Sequence, residues 1–280
     1  MKTLAFKIPK PSNSELIFQE DIGTQLYPYL HQHEEIQLSC IVEGEGDLVV
    51  GDNYSRYLEG DIICIDSKVP HLFNSDTSSA SRTYMISLFF TESTFGPQFF
   101  QLRDLKALRS FFQKLKQGIR LREGAHPIQR RFLSMKSQNE FQRFLIFLQL
   151  LHEIGTAHTT KLLQYDYSSD LSENEGKRMS EVMDYTFGHY QHPILLQDIA
   201  AVANLSPNAF CRFFKKRTNK SYVQFLIEIR IEKACQLLAK QRDYSVTEIS
   251  ELVGFRNLSN FNRKFKQLKG VSPLAYRKEV

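Results

Sequence analysis

Two stretches of this chain spell the same phrase. Phe210-Cys211-Arg212-Phe213-Phe214-Lys215, followed by Asn219 and Ser221, returns 51 positions later as Phe261-Asn262-Arg263-Lys264-Phe265-Lys266, followed by Gly270 and Ser272. Each copy comes after an apolar octet and a break: Leu196 to Ala203 then Asn204, and Val246 to Val253 then Gly254. An apolar octet, a residue that tolerates positive φ and a second apolar-periodic run spell helix, tight turn, helix. A unit repeated in order fixes the supersecondary structure before any single motif does, and two copies are too few to stack as a solenoid. Paired helix-turn-helix units that read nucleic acid are the sharper expectation.

Charge separates the same region from the rest. From Arg178 onward there are 17 Lys and Arg against 9 Asp and Glu, a balance of +8, while the first 177 residues hold 19 against 22, a balance of −3. A basic module joined to a mildly acidic body is the electrostatic footprint of nucleic-acid binding beside a domain with another task. At 280 residues the chain has room for two such domains.

Composition excludes several other classes. Cys40, Cys64, Cys211 and Cys235 show neither disulfide-framework nor zinc-knuckle spacing and read as reduced thiols. The first ten residues lack an uninterrupted apolar core, so no signal peptide is expected. The longest apolar run, Phe144 to Leu151, is too short to span a bilayer. A soluble, cytoplasmic protein with no membrane partner is expected.

Between Glu15 and Phe90 short apolar runs alternate with Gly and Asp or Asn, as in Ile36 to Val42, Asp47 to Val50, Ile62 to Ile65 and Tyr84 to Phe90. Many short strands at regular spacing predict an all-β sandwich or barrel. Within it lie His31, His33 and Gln37, then Gly44, and later Gly60, His71 and Asn74. Residues two apart in a strand share a face, so His31, His33 and Gln37 are expected to point into the barrel. The spacing resembles that of the cupin family: its first motif fits His31, His33, Gln37 and Gly44, with Gln in place of the Glu ligand, and its second fits Gly60, His71 and Asn74, with Asp66 and Lys68 in place of Pro and Gly. The resemblance implies a small-molecule effector pocket lined by His31, His33, Gln37 and His71. Three imidazoles suit Zn²⁺, Fe²⁺ or Mn²⁺, with Glu35 of matching parity as a substitute carboxylate. The alternatives are a polar lining of a small-molecule pocket, or histidines satisfied within the core, with no metal in either case.

After Pro97 the period lengthens. Leu102, Leu105, Leu108, Phe112 and Leu115 predict an amphipathic helix. Gln138 to His158 predicts a second, with Phe141, Phe144, Leu145, Leu148 and Leu151 on one face and Ile146, Phe147 and Leu150 on others. A helix apolar on nearly every side needs cover on nearly every side; its own barrel is one cover, and a homodimer interface is the expected second, with a neighbouring helix of the same chain as the alternative. Gln164 to Gly176 is almost bare of aliphatics and reads as a linker. The expected fold class is α+β multidomain: a cupin-like barrel over 1–96, a helical dimerisation segment over 97–163, a linker over 164–177 and an all-α module over 178–280.

In that module, Arg178 to Tyr190 predicts a leading helix and Tyr222 to Leu238 a bar between the two units. Ser206-Pro207 starts the first reading helix, with Ser as N-cap and Pro at the first helical position. Phe210, Phe213 and Phe214 are expected inward, as are Phe261 and Phe265. Asn208, Ala209, Cys211 and Arg212 of the first unit, and Leu258, Ser259, Asn262 and Arg263 of the second, are then left toward base edges. Lys215, Lys216, Arg217, Lys264, Lys266 and Lys269 are expected on phosphates, where they set affinity and salt dependence rather than sequence. The phrase Ile249, Gly254-Phe255, Ser259, Phe261, Arg263, Phe265-Lys266, Gly270, Ser272-Pro273 and Tyr276-Arg277 resembles the signature of the AraC/XylS transcription regulators. Ile199-Ala200, Leu205-Ser206, Phe210, Arg212 to Lys215, Arg230-Ile231, Ala234 and Leu237-Leu238 match it again. Asn204 and Asn219 stand where that family usually has Gly.

The resemblance implies a dimeric regulator that binds double-stranded promoter or operator DNA, responds to a small-molecule effector and, as an activator, meets RNA polymerase. It implies no required cofactor beyond a possible divalent metal in the barrel. Two alternatives compete: a metal-dependent cupin enzyme with a DNA-binding tail, which lacks the carboxylate at Gln37, and an adaptor that has lost DNA binding, against which the intact Phe pattern argues.

Overall fold

The computed structural model describes residues 15–76, 82–163 and 172–280, and the chain forms two compact units that divide between Glu173 and Asn174. The first ten residues and residues 164–171 of the expected linker lie outside the described residues. Residues 173–177 of that linker are already helical: the helix expected from Arg178 starts at Glu173. Its first turn is fixed by an ion pair between Glu175 and Arg217, a contact that no local pattern signals.

The first unit is built on two antiparallel sheets. One contains, in spatial order, β1 (Ile17–Gly23), β7 (Thr83–Phe90), β2 (Ile36–Glu43), β5 (Ile62–Ile65), β8 (Ile119–Leu121) and β9 (Thr160–Lys161). The other contains β4 (Asn53–Tyr57), β3 (Gly46–Val50) and β6 (His71–Ser75). Strand β2 shows why its alternation is weak: both of its faces are buried. Ile36, Leu38 and Cys40 join a core with Phe111, Phe132, Phe147 and Leu150 of the covering helices. The opposite side carries Gln37, Ser39 and Ile41, of which Ile41 packs with Leu48, Tyr57 and Phe73 between the sheets.

The helical cover departs from the single helix expected after Pro97. Two 3-10 segments, Phe99–Gln101 and Arg103–Leu108, precede α1 (Arg109–Leu115). Leu102, Leu105 and Leu108 recur every three residues, which is the period of a 3-10 helix rather than an α-helix. Leu108, Phe111 and Leu115 are buried, whereas Leu102 is 51% exposed. Next come α2 (His126–Ser134) and α3 (Glu140–Thr156), the latter capped by Asn139, which accepts from Gln142 N. Of the apolar sides of α3, the one buried within the unit carries Phe147, Leu150, Leu151 and Ile154. Phe144 is half-buried beside the ring of Phe95, while Phe141 and Leu145 are 69% and 44% exposed.

The second unit holds α4 (Glu173–His189), α5 (Leu196–Val202), α6 (Pro207–Thr218), α7 (Tyr222–Lys240), α8 (Val246–Leu252), α9 (Leu258–Lys269) and α10 (Pro273–Glu279). The sequence repeat is also a repeat of local chemistry. Ser206 and Asn257 cap α6 and α9 by accepting from Ala209 N and Asn260 N. Asn219 and Gly270 end those helices in the left-handed conformation, at φ 54° and 79°. Ser221 and Ser272 then cap α7 and α10. Each cap stabilises its helix by about 1 kcal/mol, so these helices start and stop where local residues dictate.

Candidate nucleic-acid interface and barrel site

Each helix-turn-helix unit hangs on two fully buried phenylalanines. Phe210 and Phe214 of α6 meet Tyr222 at ring-centre distances of 5.5 and 5.4 Å, and Phe214 also meets Phe225. Phe261 and Phe265 of α9 pack with Phe255, Tyr276 and the aliphatics of α7 and α8. Burying such rings stabilises each unit by roughly 1.5–3 kcal/mol per side chain, and it fixes which helix face is turned out. Phe213 corrects the expectation: it is only half-buried, and the Arg178 guanidinium lies over its ring at 5.6 Å.

On α6 the outward residues are Asn208, Cys211 and Arg212, all exposed, with Ala209 half-buried. On α9 they are Leu258, Ser259, Asn262 and Arg263, again exposed, and Arg263 Nη2 donates to Asn260 Oδ1 at 2.9 Å. Asn262, Arg263 and Lys266 share a cleft with Thr247 and Leu274, two contributors that the repeat did not single out. Nothing local marks Thr247: it faces the cleft because α8 crosses beside α9.

The cations divide in two. Lys215, Lys216 and Lys266 are exposed, and half-buried Lys264 donates to Gln267. Arg217 is a correction: it is 7% exposed and paired with Glu175, so it holds α4 to α6 instead of facing a duplex. Lys269 is a second correction, half-buried and paired with Glu232 of α7. Among the cysteines only Cys211 is exposed, while burial pushes the Cys40 and Cys235 thiols up to about 12.

The turns of the two units differ. Asn204 closes the first at φ 52° and Gly254 the second at φ 88°. At Gly254 a Cβ would lie 2.8 Å from both the Tyr190 and the Gln191 carbonyl oxygens. Asn suffices where only a left-handed residue is needed; Gly is required where another backbone also presses close.

In the barrel, His31, His33 and His71 do converge, with one ring nitrogen from each within 4.8 Å of the others. The reason differs from the one expected. His31 and His33 do not share a strand face; they sit in irregular chain between β1 and β2, and main-chain hydrogen bonds exchanged by His31 and His71 hold it to β6. Lys68, at the motif position usually held by Gly, adopts φ 61°. Glu35 does not replace the missing carboxylate: its Oε2 lies 3.8 Å from His33 Nδ1, the ring nitrogen already held by the Glu35 main-chain carbonyl. Gln37 Oε1 is 3.2 Å from His33 Nε2, and the polar line continues through Ser39 to Ser87. Burial lowers the His31 imidazole to about 4, holds His71 well below the usual histidine range and lowers His33. All three rings are therefore neutral near pH 7.

Comparison with known proteins agrees with this architecture. Residues 13–134 match the AraC-like ligand binding domain, and residues 199–279 match the helix-turn-helix domain. The HTH-type transcriptional regulator YdeC of Bacillus subtilis is 27% identical over 271 residues, 90% of this chain and 87% of that one. The MmsAB operon regulatory protein of Pseudomonas aeruginosa is 35% identical over 96 residues, 34% of this chain and 31% of that one. Among solved structures, the DNA-binding domain of AdpA in complex with a target DNA is 32% identical, with a TM-score of 0.35 over 36% of this chain and 91% of that one. The chain belongs to the AraC family of transcription regulators, with a ligand-binding domain and a helix-turn-helix DNA-binding domain. No helix among the described residues is long and apolar enough to cross a membrane.

Proposed function

We propose that this regulator works in the cytoplasm as a dimer, reading a promoter with α6 and α9 and changing its grip when a small molecule occupies the barrel. The observation that carries the reading is the repeated pair of reading helices, each fixed by two buried phenylalanines and each exposing an arginine at the same offset. Arg212 and Arg263 supply bidentate guanine contacts, Asn208, Ala209, Cys211, Leu258, Ser259 and Asn262 complete the base-facing surface, and Lys215, Lys216, Lys264 and Lys266 take phosphates. Both reading helices flank α7, so they enter successive major grooves about 34 Å apart, or the duplex bends to meet them. Footprinting tests this. Each chain should protect two patches one helical turn apart; a single patch per chain contradicts two-unit docking.

The exposed Phe141 and Leu145 on α3, one turn apart, support the dimer. Leu145→Glu places a charge on that face and should give a monomer by sedimentation equilibrium; an unchanged dimer removes α3 from the interface. The polar inner line of Gln37, Ser39 and Ser87 beside the histidines supports a polar effector. An effector controls DNA binding only if its affinity differs between the two arrangements of the regulator. As an activator, the DNA-bound dimer would present a surface to RNA polymerase.

A further inference from the structure

The second helix-turn-helix unit carries a feature that the first lacks. Beside its reading helix lies a cleft of about 660 Å³, walled by the start of α8, the outward side of α9 and part of α10. Arg263, Lys266 and Arg277 line it together with the hydroxyls of Ser245, Thr247 and Ser272, and none of the described residues lining it is acidic. Glu248, next to Thr247, is turned back to accept from Ser245 N at 2.7 Å. Ser245 and Ser272 accept from Glu248 N and Ala275 N at 3.1 and 3.2 Å as helix caps, so each keeps its O–H to donate. Cations and hydroxyl donors around one concavity suit a ligand made of acceptor oxygens.

Arg277 is fixed from both sides. Arg242 Nη1 donates to Arg277 O, and Arg277 Nη2 donates to Tyr244 O, both at 2.7 Å, which clasps α10 to the chain entering α8. Among the described residues this is the one hydrogen bond its guanidinium makes, and Lys266 makes none. The first unit, aligned on its caps Leu195, Ser206 and Ser221, has Arg212, Lys215 and Ser221 at the places of Arg263, Lys266 and Ser272. At the other three places Leu195 stands for Ser245, Gln197 for Thr247 and Leu226 for Arg277. Leu195 is 61% exposed and gives α5 no side-chain cap, while Leu226 is buried. The two units share a fold and differ in chemistry at this one flank.

We propose that this cleft binds the phosphodiester backbone of DNA through Arg277, Lys266 and the Thr247 hydroxyl, and that the second unit is thereby the electrostatic anchor of the pair. Arg263 and Lys266 belong both to the reading helix and to the cleft, so the strand at the rim of the groove that α9 enters is the polyanion within reach. Guanidinium and ammonium donors match phosphate oxygens. Leu258 and Leu274, 38% and 61% exposed between the cations, meet the deoxyribose, a surface that a free hydrated anion would not use. The anchor rests on the reading of α9 proposed above and extends it to α8 and α10, which carry no base-facing residue. The first unit, without Arg277, Thr247 or Ser245 at its flank, holds fewer phosphates.

The test measures binding of the full-length protein to a random-sequence duplex about three helical turns long, over a series of salt concentrations. Arg277→Gln should lower the slope of log K against log salt by about 1. Lys278→Gln removes the next cation of α10, exposed and outside the cleft, and should leave the slope unchanged. Leu274→Lys adds a charge to the cleft and should raise the slope by about 1 with tighter binding; a gain cannot come from misfolding. Thr247→Val removes a hydroxyl contact and should weaken binding roughly two- to tenfold at an unchanged slope. Equal slopes for the parent, Arg277→Gln and Leu274→Lys, as a cleft for a free anion would give, overturn the anchor and leave the reading helices standing. An equal loss of slope in Lys278→Gln also overturns it, since any charge on α10 would then serve. A parent that shows no salt-dependent binding overturns the anchor and the DNA reading together.

Discussion

Replacing Gly254 with Ala tests how the second helix-turn-helix unit is seated. Gly254 closes the α8–α9 turn at φ 88°, where a Cβ would meet the Tyr190 and Gln191 carbonyl oxygens at 2.8 Å and Arg230 Cζ at 3.0 Å. Those neighbours are not free to yield. Arg230 of α7 donates to Tyr190 O and His192 O, both at 2.8 Å, clamping the chain after α4 onto the bar between the two units. The left-handed conformation costs a residue with a Cβ about 1–2 kcal/mol. Displacing a carbonyl from a charged donor costs roughly 1.5–3 kcal/mol more. The expected loss is thus about 2.5–5 kcal/mol, a large part of the 5–15 kcal/mol that holds a typical domain folded. Asn204→Gly is the control: the equivalent turn of the first unit has φ 52° and an exposed residue, so the change should stay within about 1 kcal/mol. Urea unfolding followed by circular dichroism measures both, read on the transition of the helical unit. A Gly254→Ala protein as stable as its parent, or equal damage from Asn204→Gly, refutes the reasoning that backbone approach sets this position.

The same packing sets three further expectations. Arg217→Ala should destabilise the helical unit by about 1–3 kcal/mol, because it strands partly buried Glu175, while leaving the salt dependence of DNA binding unchanged; a reduced salt slope would return Arg217 to the phosphate contacts. Lys215→Ala should do the reverse, lowering the salt slope by about 1 with no change in unfolding free energy. Phe261→Ala removes a fully buried ring shared by Phe255 and Phe265 and should cost about 3–5 kcal/mol by denaturant unfolding; a cost under about 1 kcal/mol means the turn and caps alone hold α9.

The helical unit was legible in the sequence because its signals are local. Ser206, Asn257, Ser221 and Ser272 sit at the helix starts they cap, and Asn204, Asn219 and Gly254 take the positive φ their types allow. Arg217 was not legible: beside Lys215 and Lys216 it reads as one more cation, whereas its ion pair with Glu175, distant in sequence, ties it into the fold. The barrel half was legible in kind but not in mechanism. Strands such as β1, IFQEDIG, and β4, NYSRY, carry too few aliphatics to stand out. The convergence of His31, His33 and His71 depends on a bridge between an irregular segment and β6, which spacing does not encode. Likewise α3 is apolar on most sides, so periodicity alone left open which face the sheet covers.

Sequence-specific reading of DNA by two units is tested most directly by selecting bound genomic fragments with the purified full-length protein and with Arg263→Ala, each at two salt concentrations. The parent should recover a motif of two blocks about one helical turn apart, and Arg263→Ala should lose or relax one block, at a cost of about 1–3 kcal/mol. Fragments without a common motif, retained equally by both proteins and released alike as salt rises, would show that α6 and α9 hold only the backbone.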